Sequence, residues 1–198
     1  MSEATLYKIF QQSVEAKMNA GDSLFPEILN AAERIVECLL NGGKLLICGN
    51  GTSAALAQIF TSKLVNQFER ERPCLPAITL GCDPTVFTSI ANERNFNDVL
   101  AREIKAIGSE GDLLIVLTAS GKSSNLIQAI QAAHEKNMSI ISLNGSDGGH
   151  LFSLLDVTDR EIRVPSESRA RIHEIHLLII FCLCQLIDEQ LFGLLENE

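Results

Sequence analysis

The sequence predicts an α/β fold: a three-layer open parallel sheet of about five strands flanked by helices, with extra helices at both ends. Three observations carry this. Short runs such as KLLIC (44–48) and DLLIVLT (112–118) are too apolar for strands with one wet face. Between the strands, apolar residues fall at helical spacing. The two types of segment alternate, as they do when helices cover both faces of a parallel sheet.

Each element follows in order. Residues 5–41 read as two leading helices, with Leu6, Ile9, Phe10 and Val14 on one face of the first. Ile28, Ala31, Ile35, Cys38 and Leu39 mark the second, which Gly42-Gly43 ends as a C-cap. The α/β core spans 44–165: strand 44–48, helix 52–68, strand 77–80, helix 96–107 and strand 112–118. Helix 125–136, strand 139–143, a short helix near 151–155 and strand 161–164 complete it. A long helix over 168–192 closes the chain, and its run LLIIFCLC is too short to cross a bilayer. With no repeat and no linker, residues 1–198 are expected to form one domain.

Composition narrows the function. At 46% hydrophobic and 21% charged, 198 residues can bury a full core. A net charge of −9 argues against nonspecific DNA or acidic-membrane binding, because both need a positive surface. No basic segment followed by an apolar stretch opens the sequence, so no secretory signal is expected and the cytoplasm is the expected location. Cys38, Cys48, Cys74, Cys82, Cys182 and Cys184 lie in apolar segments without CxxC spacing. They read as reduced core residues, and neither a disulfide nor a metal site nor a cofactor is expected.

Two strand-to-helix turns carry the polar chemistry: GNGTS (49–53) and TASGKSSN (118–125). Each sets small residues at a helix N-terminus, where free N–H groups and the dipole favour an anion. Asn50, Gly51, Thr52, Ser53, Thr118, Ala119, Ser120 and Ser123 are therefore candidates for a phosphosugar site. Either turn alone reads better as an N-cap, but two such turns after two apolar strands of one sheet face the same edge and shift the balance. Neither is a Walker loop or a GxGxxG fingerprint, and neutral hydroxyls suit a sugar phosphate better than a nucleotide.

CGNGTSAA, TASGKSSN, NGSDGG and RIHEIH together resemble the SIS (sugar isomerase) domain family, in its phosphoheptose isomerase branch, over essentially the whole chain. The resemblance implies a five-stranded parallel sheet and a homotetramer whose terminal helices form a central bundle. It also implies a sugar phosphate ligand, with Asn92 and Glu93 near the sugar and His173 hydrogen-bonding in the pocket. Isomerases of this branch carry a His and a Glu in the helix after the first turn, and a Gln and a second His in the last helix. Those groups can hold zinc. Here the positions are Ile59, Lys63, His173 and Phe181. Isoleucine and phenylalanine neither bind metal nor move protons, and losing one positioned acid or base typically costs about 10²–10⁴ in rate.

Ordinary isomerase activity is therefore not expected from these positions. GNGTSAA, SRARIHEIH and CLCQLIDEQLF resemble the initiator-associating (DiaA) branch of the family, which implies an adaptor that binds DnaA and promotes its assembly at the replication origin. Leu191 and Phe192, beside the acidic Glu196 and Glu198, would then anchor the partner. The alternating charges Glu69-Arg70-Glu71-Arg72 read as a solvated loop. A phosphoheptose isomerase and a phosphosugar sensor are the alternatives, and Lys122 would aid phosphate binding or be a solvated loop residue.

Overall fold

A computed structural model describes residues 2–194, so Glu196 and Glu198 lie outside the described residues. Five parallel strands form one sheet in the order β2-β1-β3-β4-β5. They are β1 (Leu45–Gly49), β2 (Ala77–Thr79), β3 (Leu113–Leu117), β4 (Ser139–Gly145) and β5 (Arg160–Val164). The helices are α1 (Glu3–Leu40), α2 (Thr52–Val65), α3 (Pro84–Glu93), α4 (Val99–Ile107), α5 (Ser124–His134) and α6 (Arg169–Phe192).

Alternate residues of the central strands feed two cores, as the two-residue period of a strand requires. Leu45, Ile47, Leu113, Ile115 and Leu117 pack under α1, α2 and α6. Leu46, Cys48, Leu114 and Val116 pack under α4 and α5. In β1 and β3, Gly49 pairs with Leu117, so the two strands end level and release their turns at one height. β1 is followed by β2 on one side and flanked by β3 on the other. This is the reversal of strand order at which such sheets bind ligands.

The structure differs from the expectations in four places. The leading segment is one helix, not two: the buried face of Ala20, Leu24, Ile28, Ala31 and Ile35 runs straight past Pro26. Its N-terminal half leaves Leu6, Tyr7, Phe10, Val14 and Met18 exposed. Helix α3 was not anticipated from the sequence because it buries no residue, though its start is well marked. Asp83 accepts from the amides of Thr85 and Val86, and Pro84 occupies the first turn, where a missing N–H costs nothing.

Cys38, Cys48 and Cys184 are buried as expected, but Cys74 and Cys82 are exposed, because each sits in a loop rather than in an apolar element. Burial drives the Cys48 and Cys184 thiols up to about 12 and that of Cys38 to about 11. Finally, α6 as a whole is long and apolar enough by length and composition to cross a membrane. Its apolar side chains Ile172, Ile175, Ile179, Leu183 and Ile187 instead lie in the core beneath α1 and against α2.

Candidate functional site

The two hydroxyl-rich turns meet at the level ends of β1 and β3. Gly49 is required because a Cβ there would sit 2.7 Å from the Ser53 carbonyl carbon. Gly51 takes a positive φ of 55°, which turns the chain into α2 without strain. In the second turn the Thr118 hydroxyl accepts from the amides of Ser120 and Gly121 at 3.3 and 3.1 Å, folding the chain back on itself. Asn50 and Asn125 then exchange two amide hydrogen bonds, 2.8 and 2.9 Å, across the gap between the turns.

A cavity of about 420 Å3 results, lined by Asn50, Thr52, Ser53, Leu117, Thr118, Ala119, Ser120, Ser123, Arg169 and His173. The N-cap explanation fails for both turns. The N-cap of α2 is Gly51, which has no side chain, and Ser123 at the N-cap of α5 makes no capping bond. Asp83 and Ser168, by contrast, cap α3 and α6 with their side chains. The hydroxyls of Thr52, Ser53 and Ser123 thus line a cavity whose wall includes two helix N-termini.

His173 completes the wall from the second turn of α6, its Nε2 3.5 Å from the Ser53 hydroxyl. Burial first, and the Arg169 charge second, hold its pKa below the ordinary histidine value, so the imidazole is neutral at neutral pH. His176, one turn on, is fully buried; its Nε2 donates to the Asn144 carbonyl at 3.0 Å, and burial pushes its pKa down to about 4. Asn144 in turn donates to the Gly148 carbonyl at 2.7 Å. The Gly148-Gly149 segment presses against Gly121, where a Cβ would come within 1.9 Å of the Gly148 oxygen. The NGSDGG loop is therefore the backing of the second turn.

Most of the residues expected at the site come together, with changes of role. The Asn50 amide ties the two turns through Asn125, a partner the sequence reading passed over. Gly51 faces an adjoining cavity of about 460 Å3, walled by Gln58, Cys82, Phe87 and Phe96. Asn92 and Glu93 are exposed at the end of α3 and line none of these cavities; Glu93 accepts from Ser89 at 3.3 Å. Lys122 faces a smaller cavity of about 240 Å3 and lies 3.8 Å from Asp147. Arg169, missed in the sequence, lines both this cavity and the main one.

Ile59, Lys63 and Phe181 line no part of the hydroxyl cavity. Ile59 packs on the core and Lys63 sits in the last turn of α2. Phe181 stacks on Phe68 at 5.6 Å, beside an apolar groove of about 610 Å3 between α1 and α6. The zinc set of the resembled isomerases does not fit here, because Ile59 and Phe181 offer no lone pair and Lys63 is a cation.

Leu191 and Phe192 are half-buried, each packed in part against the core. Arg70 lies over the Phe192 ring at 5.9 Å and donates to the Phe192 and Gly193 carbonyls. The Glu69–Arg72 segment is not simply solvated either: the Arg72 side chain is only 1% exposed and pairs with Asp188 at 2.8 Å. It also donates to the carbonyls of Lys63, Leu64 and Pro73.

The sequence profile of the SIS domain matches residues 9–145. A phosphoheptose isomerase of Chromohalobacter salexigens is 52% identical over 94% of this chain and 95% of its own. Another, from Shewanella halifaxensis, is 49% identical over 92% and 93%. The solved phosphoheptose isomerase of Francisella tularensis superposes with a TM-score of 0.92 at 44% identity, covering 96% of this chain and all of the other. That of Neisseria gonorrhoeae gives 0.90 at 38% identity, over 94% and 98%.

These relatives overturn the expectation of a non-catalytic, DnaA-binding adaptor, since proteins about half identical over nearly the whole chain bear an enzyme's name. That expectation rested on positions 59, 63 and 181 and on the resemblance of GNGTSAA, SRARIHEIH and CLCQLIDEQLF to the initiator-associating branch. Replacing residues there leaves the hydroxyl cavity and its imidazole intact.

Proposed function

The chain belongs to the SIS-domain family, in its phosphoheptose isomerase branch, and we propose that it interconverts the ketose and aldose forms of a heptose phosphate such as sedoheptulose 7-phosphate. The observation that carries this reading is the neutral imidazole of His173 in a cavity otherwise built of hydroxyls and helix N-termini. The phosphate would sit among the hydroxyls of Thr52, Ser120 and Ser123. With the ketose bound, neutral His173 takes a proton from the carbon beside the carbonyl, leaving an enediolate beside the imidazolium. The imidazolium, whose proton exchanges with water, then protonates the neighbouring carbon, and a hydroxyl proton shifts between the two oxygens. The Ser53 hydroxyl, 3.5 Å from Nε2, is placed to relay that second proton. The active assembly in this reading is a homotetramer, supported by the exposed apolar row on α1 and the groove beside Phe181.

The test is sedoheptulose 7-phosphate in deuterated water, followed by NMR. Wild type should yield the aldose phosphate with deuterium at the reacting carbon. His173→Gln, which hydrogen-bonds but cannot shuttle a proton, should bind the sugar phosphate yet lose about 10²–10⁴ in kcat. Binding by the wild type without turnover or exchange would refute the isomerase reading.

A further inference from the structure

The cavity just assigned has a single cation in its wall, Arg169. It is exposed in the first turn of α6, where the helix dipole disfavours positive charge. Around it, Arg171 holds Glu174 at 2.6 Å and Arg163 holds Glu161 at 2.6 Å, while Glu167 accepts from the neutral Ser146 hydroxyl at 2.7 Å. Lys122 is 3.8 Å from Asp147. Arg169 makes no ion pair and no side-chain hydrogen bond among the described residues. An unneutralised guanidinium at an unfavourable helix end, on the lip of a cavity built from anion-binding turns, is placed to be neutralised by a ligand.

We propose that Arg169 is a substrate-binding residue that closes the hydroxyl cavity over the phosphate and selects phosphorylated over neutral sugars. The inference rests on the phosphosugar reading of this cavity. The chemistry is specific: neutral hydroxyls and amides orient a phosphate, but only the planar guanidinium offers it a charge-assisted, two-pronged contact. Arg169 also lines the adjoining cavity that holds Asp147 and Glu167, two carboxylates that would repel an anion there. The phosphate is thus directed to the hydroxyl side of Arg169 and away from the carboxylate side. Arg169 and His173, one turn apart on α6, line this cavity together.

The experiment is calorimetric titration of wild type, Arg169→Gln, Arg169→Lys and Arg102→Gln with sedoheptulose 7-phosphate, inorganic phosphate and unphosphorylated sedoheptulose. Arg102 is exposed on α4, lines none of these cavities and controls for net charge. Arg169→Gln should weaken both phosphate ligands about 10- to 100-fold, the range for losing one charge-assisted hydrogen bond, and leave the neutral sugar unaffected. Arg169→Lys should recover part of the loss, and Arg102→Gln should match wild type. In turnover the Arg169→Gln loss should fall on KM with kcat little changed, which separates ligand binding from a folding defect. Wild-type phosphate affinity in Arg169→Gln would overturn the role of Arg169 while leaving the phosphosugar reading standing. Absence of phosphosugar binding in wild type would overturn both.

Discussion

Removing the Arg72 side chain should cost more than removing the carboxylate it pairs with. Arg72 and Asp188 are 1% and 4% exposed and 2.8 Å apart, so neither can turn to water when its partner is lost. Arg72→Leu leaves the Asp188 carboxylate buried without its cation, and the Asp188 Oδ2 has no protein partner even now. It also deprives the carbonyls of Lys63, Leu64 and Pro73 of donors at 2.7–2.9 Å. Breaking a buried pair from one side costs about 3–5 kcal/mol, and the carbonyls add little, since that of Pro73 is exposed and that of Leu64 keeps the Leu75 amide. Asp188→Leu removes the charge but leaves Arg72 its three carbonyls, so about 3 kcal/mol is expected there. The double variant Arg72→Leu/Asp188→Leu should be more stable than Arg72→Leu alone, since no unpaired charge remains. Urea unfolding followed by circular dichroism, at one fixed protein concentration, reads the order directly. A loss below about 1 kcal/mol for Arg72→Leu, or equal losses for the two single variants, would refute the argument.

Two more outcomes follow from burial. His176 is held neutral, with its pKa lowered from 6.5 to about 4, so below pH about 6.5 the unfolded chain takes up a proton that the folded one refuses. Stability should therefore fall as pH drops from about 6.5 to about 4, by roughly 3 kcal/mol in full, and a His176→Gln variant should lack that slope. An unchanged acid slope in the variant would place the acid sensitivity elsewhere. Thiol labelling of the native protein should modify Cys74 and Cys82 quickly, Cys182 slowly, and Cys38, Cys48 and Cys184 only on unfolding. Fast reaction at Cys48 would contradict its place beneath α4 and α5.

The sheet was legible because its signal is local. Runs such as LLIVL have nowhere to go but a doubly covered strand, and β1, β3, β4 and β5 fall within two residues of their expected bounds. Both hydroxyl turns were legible for the same reason, each lying between a strand end and a helix start. What the sequence hid depends on partners far along the chain. Asn50 meets Asn125 across 75 residues, and Arg72 meets Asp188 across 116. A string of alternating charges carries no mark of a buried carboxylate waiting that far away. The sequence likewise does not show Arg70 placed over the Phe192 ring, 122 residues away. Position 169 was passed over because an arginine beside a capping serine looks like surface, and only the assembled cavity shows which way it opens. The argument against an enzyme failed similarly: it treated four aligned positions as the whole site, whereas only His173 among them lines the hydroxyl cavity.

The contact between Gly121 and the Gly148-Gly149 segment fixes where this cavity can be remodelled. With backbone against backbone, any side chain at Gly121 or Gly149 collides with main-chain atoms that have no rotamer to yield. A library aimed at new phosphosugar substrates would lose its members at those two glycines to misfolding before selectivity could be tested. Diversity belongs at Thr52, Ser120 and Ser123, where side chains meet empty space, and the NGSDGG loop must be transplanted together with the turn it supports.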